Sequence, residues 1–427
     1  MGFMVGALLV GALAASAVLL LGRSLRLSPF QALVAEAPAE LRTAVERLAD
    51  NGLRMRMLAA LKLGSADVGF PRLEWWDYTH QGLDAELTVL GGQSTSDWTD
   101  EDTLDALAHF LHVPKVTAYS PDPARIRLQV RIFDALAPVA TLPEGVPDVV
   151  DLEAVRVGVR EDGGWWLLRV LYAHVLLAGA TGAGKGSVLW SILAGLGPAM
   201  RSGLVDVWMA DPKGGMEFGR GQRLFVRFQW DVDGILGMLA EAVTVMQERA
   251  ASLRESGVRK HVPTPDAPLI LIVIDEAAAL SAYATREQEA EFERLVGLLL
   301  SQGRAVGVSV VAALQDPSKE TMPARQLFPV RIGLRLTESS QIAMVHGPGA
   351  KDRGARCHEI PESTPGVGYV GEDGSNTFVR VRAFWLDTDD IDALVDAYAP
   401  QQPDLSPVQD YSGFDPDDLG DGEGAAA

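Results

Sequence analysis

The stretch that decides the fold is His174-Val-Leu-Leu-Ala-Gly179-Ala-Thr-Gly182-Ala-Gly184-Lys185-Gly186-Ser187. An apolar strand runs into a glycine-rich turn, and a helix is expected to open near Lys185. Glycines let successive backbone N–H groups converge on an anion at a helix N-terminus, where the Lys185 ammonium reaches the β- and γ-phosphates of a nucleotide. Gly179, Ala180, Thr181, Gly182, Ala183, Gly184, Lys185, Gly186 and Ser187 make up this loop. The bare spacing arises by chance roughly 0.07 times in a chain of this composition, so the flanking strand and helix carry its specificity. One position departs from the usual pattern. The residue after the lysine is ordinarily a Ser or Thr whose hydroxyl holds Mg²⁺, and here it is Gly186, with Ser187 the candidate substitute.

Ninety residues on, Leu269-Ile-Leu-Ile-Val-Ile274 is an uninterrupted apolar run, as a central parallel strand requires, and it ends in Asp275-Glu276. A carboxylate at that strand end is placed to hold Mg²⁺ through water, and the glutamate after it to polarise an attacking water. Acids opening a helix for the sake of its dipole are the bland alternative. Two elements in the right order on the right structures outweigh it. Asp211-Pro-Lys213-Gly-Gly-Met-Glu217 follows another strand, and Gln315 ends the apolar run Ser309–Leu314, where its amide is placed to sense the γ-phosphate. Either of these two, alone, is more often an ordinary loop or strand-end cap.

Together with Gly303-Arg304-x-x-Gly307 and Gln315-x-Pro317-Ser318, these motifs resemble the FtsK/SpoIIIE DNA translocases over about residues 155–385. The resemblance implies an α/β fold, a RecA-like P-loop motor with a parallel sheet, assembled as a homo-hexamer that pumps double-stranded DNA using ATP and Mg²⁺. It implies Lys185, Asp275, Glu276, Gln315 and Arg304 as the catalytic set, with Ser187 and Asp275 toward the metal. Arg304 would be the arginine finger for the neighbour's nucleotide, or else an ordinary helix-end cation. Asp316 stands where the family commonly has a DNA-facing Arg. Lys319, Arg325, Arg331 and Arg335 are then the candidate DNA contacts, since Lys and Arg pairing with phosphates supplies non-specific binding. No winged-helix segment follows the motor, and the single span suggests a plasmid or integrative-element transfer protein.

Outward from the motor, residues 1–22 carry no charge, long enough for a transmembrane helix, and Arg23 and Arg26 follow at once. That order predicts a single-pass anchor in the cell membrane with the motor cytoplasmic; a cleaved signal peptide or a buried core helix is the alternative. A juxtamembrane helical segment is expected over 23–69, with Leu41, Ala44, Val45 and Leu48 on one face. A small α+β domain and its proline-marked linker occupy 70–150, the RecA-like motor 151–400, and an acidic disordered tail 401–427. The formal charge of −20 excludes a generally basic nucleic-acid coat protein, though not a local basic surface, and one cysteine excludes a disulfide framework. His109 and His112 lack a third metal ligand, Cys357-His358 lacks partners, and the Trp75-Trp76 and Trp165-Trp166 pairs are expected to pack. Two competitors to a DNA translocase remain: a type VII-like protein-export ATPase of the same superfamily, and a nucleotide-binding assembly protein with feeble turnover.

Overall fold

The computed structural model describes residues 34–400, except 144, 146, 148, 319–321, 373, 374 and 376. The anchor expected over 1–22 and the tail over 401–427 lie outside the described residues. Among those described, no helix is long and apolar enough to cross a membrane.

The first unit contains helices α1 (Arg42–Ala49) and α2 (Asn51–Ala60), strands β1 (Leu73–Thr79) and β2 (Gly82–Thr88), helices α3 (Thr95–Thr99) and α4 (Glu101–Leu111), and strands β3 (Lys115–Asp122) and β4 (Arg125–Arg131). Its strands pair antiparallel in the order β1-β2-β4-β3. Strand β4 shows why the sheet has one wet face. Ile126, Leu128 and Val130 point into the core while the alternating arginines face out, Arg125 and Arg127 onto Glu86 and Arg131 onto Asp84. Leu41, Ala44, Val45 and Leu48 are buried against this same core, so the helical segment before residue 70 packs as part of the small domain.

The second unit runs β5 (Val155–Arg160), β6 (Trp165–Leu168), β7 (Val175–Ala178), α5 (Lys185–Arg201), β8 (Val205–Ala210), β9 (Arg227–Gln229), α6 (Val232–Ser256), β10 (Leu269–Ile274), α7 (Ala277–Tyr283), α8 (Arg286–Gln302), β11 (Val308–Leu314), β12 (Val330–Gly333), α9 (Ser340–His346), β13 (Val367–Glu372), β14 (Val379–Ala383) and α10 (Thr388–Tyr398). Its ten strands lie in the order β6-β5-β14-β13-β12-β7-β11-β10-β8-β9. From β12 to β9 every pairing is parallel, as expected. The sheet as a whole is mixed, however, which corrects the expectation of a parallel sheet. β13 and β14 are joined by a short connection that allows only antiparallel pairing, and the β5–β6 hairpin adds to their outer edge.

Alternate residues of each central strand serve different cores. Leu177, Met209, Val273 and Ala313 face the side of α5 and α10, whereas Ala178, Ala210, Ile274 and Leu314 face that of α6 and α8. Burial on both faces is why β10 reads as a solid apolar run. The two units are latched together by polar contacts: Lys351 and His358 on Glu101, Lys115 on Glu359, and buried Arg356 donating to the Thr99 carbonyl.

Candidate nucleotide-binding site

Because β7, β11, β10 and β8 run parallel, their C-terminal ends form one edge, and the segments leaving that edge build the site. After β7 the loop turns through Gly182 and Gly184, both with positive φ, and α5 begins at Lys185. Gly184 has a second constraint: a methyl there would collide with the backbone N of Gly366, whose N–H donates to Ala183 O at 2.9 Å. The loop is thus propped from behind by the chain entering β13. Lys185 is 8% exposed and donates from Nζ to Gly179 O at 2.8 Å. Burial pulls its pKa down from the ordinary lysine range, and Glu276 opposes that pull.

β10 delivers Asp275 and Glu276, 2% and 5% exposed. Glu276 sits in the left-handed region (φ 66°, ψ 70°), a conformation a side-chain-bearing residue rarely adopts without a functional constraint. This turn brings Glu276 Oε2 to 4.0 Å from Lys185 Nζ, while Oε1 accepts from the Gln315 N–H at 3.1 Å. Oε2 itself accepts no hydrogen bond among the described residues. Gln315 ends β11, the strand between those of the loop and of Asp275, and its side-chain Oε1 accepts from Thr181 Oγ1 at 3.0 Å.

β8 delivers Asp211, fully buried, whose carboxylate accepts backbone N–H bonds from Lys213, Glu217 and Phe218. That turn carries Lys213 to Asp275, with Nζ 3.1 Å from Oδ2. Burial lowers the Lys213 pKa, but the charge and hydrogen bond of Asp275 outweigh it and hold the ammonium above its usual range. Asp275 is pushed up by burial, against the pull of Lys213. Glu217 is raised by burial and then by the charge of Asp275.

Lys185, Asp275, Glu276, Gln315 and the loop therefore meet at one edge. Arg304 does not: it lies before β11, where its charge bears on His174 at the start of β7. Seven residues of β11 separate that end from Gln315, about 20 Å at ~3.3 Å per residue. Among the described candidate DNA contacts, Arg331 and Arg335 lie toward opposite ends of β12. Arg331 donates to the Phe328 and Gln326 carbonyls near the start of β12, Arg325 is partly buried in the preceding turn, and Lys319 is outside the described residues. Arg335, past the other end of β12, donates to Thr181 O at 2.8 Å and so belongs to the phosphate loop's surroundings. Its role there had no signal in sequence. Glu217 and Lys213 had one, the Asp211-Pro-Lys213 spacing, but no assigned task.

Residues 141–267 match the FtsK/SpoIIIE family. The chain is 27% identical over 366 residues to the transfer protein TraSA of Streptomyces ambofaciens, covering 78% of this chain and 84% of that one. It is 28% identical over 196 residues to the DNA translocase FtsK of Borreliella burgdorferi, covering 42% of this chain and 24% of the longer relative. In fold it is similar to the conjugation coupling protein TcpA of pCW3, solved in a monomer form with ATPγS, with a TM-score of 0.53, 21% identity, and coverage of 80% of this chain and 97% of that one. The kinship expected from the motifs is met over residues 141–267, the stretch that carries the phosphate loop of this P-loop ATPase.

Proposed function

We propose that this chain is a membrane-anchored, ATP-driven translocase of double-stranded DNA, acting in plasmid or integrative-element transfer or in DNA segregation as a homo-hexamer. The observation that carries it is the convergence of Lys185, Asp275, Glu276 and Gln315 on one sheet edge in a chain akin to transfer and translocase proteins.

In this reading the loop N–H groups and Lys185 bind the β- and γ-phosphates. Glu276 orients the attacking water and takes its proton. The residues present can accept a divalent cation: Asp275 lies buried at the strand end with the charges of Glu217 and Glu276 near it, and Lys213 Nζ at 3.1 Å now occupies its Oδ2. Mg²⁺, when bound, would neutralise charge on the phosphate oxygens, and Asp275 would hold it. Arg304, too far to serve its own loop, acts on the neighbour's nucleotide, which requires a ring. Gln315 reports the γ-phosphate to the segment that follows it, and that segment, with Lys319, Arg325 and Arg331, meets the DNA. The uncharged run 1–22 anchors the chain, with the motor on the cytoplasmic side.

The test is the ATPase rate of the purified full chain with and without a long DNA duplex. The rate is expected to rise with duplex and the effect to fade with salt as phosphate contacts are screened. No response to duplex, with stimulation by a secreted peptide, would instead indicate a protein-export ATPase. Turnover at background under every condition would indicate an assembly protein.

A further inference from the structure

Gly186 stands where a hydroxyl residue usually follows the loop lysine, and the space beside it is filled. A methyl built on Gly186 would collide with Glu217 Oε1, so a carboxylate oxygen occupies the space that a Ser or Thr side chain at 186 would need. The placement is built in. Asp211 pins the turn through the N–H groups of Lys213, Glu217 and Phe218, and Gly214 and Gly215 both take positive φ, bending the chain back over the start of α5. Ser187 is no equivalent. An α-helix turns about 100° per residue, so its side chain leaves α5 well away from the direction Glu217 occupies. The charge of Asp275, 2% exposed, acts on Glu217, and next to Asp275 in the chain is Glu276, 5% exposed, whose Oε2 accepts no hydrogen bond among the described residues. Oε2 faces only the Lys185 ammonium, at 4.0 Å and beyond hydrogen-bond reach, so this site still has carboxylate oxygen to offer a divalent cation.

We propose that Glu217 supplies the divalent-cation oxygen that the hydroxyl after the loop lysine supplies elsewhere, so that the metal is held between Glu217 and Asp275. This rests on the ATPase reading. It also explains the glycine: position 186 must lack a side chain because the ligand comes from the next strand's turn. The cation competes with Lys213 for Asp275.

The experiment uses Mn²⁺ as probe, titrated by electron paramagnetic resonance into the full chain with ATPγS, and a separate measurement of ATPγS affinity in EDTA. Glu217→Gln is expected to weaken Mn²⁺ binding by on the order of 10- to 100-fold while leaving the EDTA affinity unchanged. Ser187→Ala is expected to weaken Mn²⁺ binding far less than Glu217→Gln does. The double variant Gly186→Ser/Glu217→Ala, which restores the hydroxyl, is expected to regain much of the Mn²⁺ affinity. Wild-type Mn²⁺ affinity in Glu217→Gln, or a loss in Ser187→Ala instead, overturns the assignment with the ATPase reading intact. Failure of the wild-type chain to bind ATPγS even in EDTA overturns the ATPase reading and this assignment with it.

Discussion

Replacing Glu276 by Gln removes one charge and almost no volume. The amide keeps an oxygen to accept from the Gln315 N–H, at 3.1 Å in the native site, and places its NH₂ where Oε2 faces Lys185 at 4.0 Å. Lys185 retains its bond to Gly179 O. At an effective dielectric of about 20, two unit charges 4 Å apart attract by about 4 kcal/mol, but removing a buried carboxylate also removes its desolvation cost. The two oppose one another, Asp275 and Glu217 still act on Lys185 so its charge is not left uncompensated, and global stability is expected to change by no more than about 1 kcal/mol. Hydrolysis has no such offset. A positioned general base contributes about 10²- to 10⁴-fold, or roughly 2.7–5.4 kcal/mol of barrier, and the amide cannot accept the water's proton. Single-turnover hydrolysis of γ-labelled ATP is therefore expected to slow by at least about 10²-fold, with nucleotide retained unhydrolysed and the melting temperature nearly unchanged. A single-turnover rate within threefold of wild type would refute the role of Glu276. A collapse of the melting temperature would refute the balance of charges drawn for the pocket.

Arg304→Ala is expected to bind nucleotide normally yet lose on the order of 10³-fold in turnover. Doping it into wild-type chains should depress ATPase activity more than in proportion; strict proportionality would show that subunits act alone. Burial lowers the pKa of His174 and of His346 to about 3, from an ordinary value of 6.5. Unfolded chains bind those protons near pH 6.5 and the folded protein only near 3, so the stability they contribute is whole above 6.5 and is lost as pH falls toward 3. At about 1.4 kcal/mol per pH unit per group, the pair is expected to cost roughly 4 kcal/mol on going from pH 6.5 to 5. Chemical denaturation at the two pH values checks this, and equal midpoints would contradict it.

What could be read without coordinates was whatever lies contiguous in the chain. Leu269–Ile274 is apolar at every position because both faces of β10 are covered, and the phosphate loop is continuous from Gly179 to Ser187. The flanking strands were less legible. β1 is an edge strand with its tryptophan pair half in solvent, so it lacks a clean alternation, and the antiparallel half of the sheet depends on which strands meet across space. The same holds within the site. Gly186 looked like a deficiency because the group that fills its place, Glu217, is 31 positions away and reaches it only through the turn pinned by Asp211. Arg335 reads in the sequence as a candidate DNA contact, since nothing local indicates that β12 sits beside β7 and leads Arg335 to Thr181.

The position of β11 between the strand of the loop and the strand of Asp275 makes Gln315 a junction. Its side chain meets Thr181, its own amide meets Glu276, and the chain from Asp316 onward hangs from its carbonyl. Under the proposed function, a load on that downstream segment would pull on the very peptide whose N–H holds the Glu276 carboxylate. In that reading force and hydrolysis would be geared together at a single residue, and each tooth of the gear is a hydrogen bond of about 3 Å.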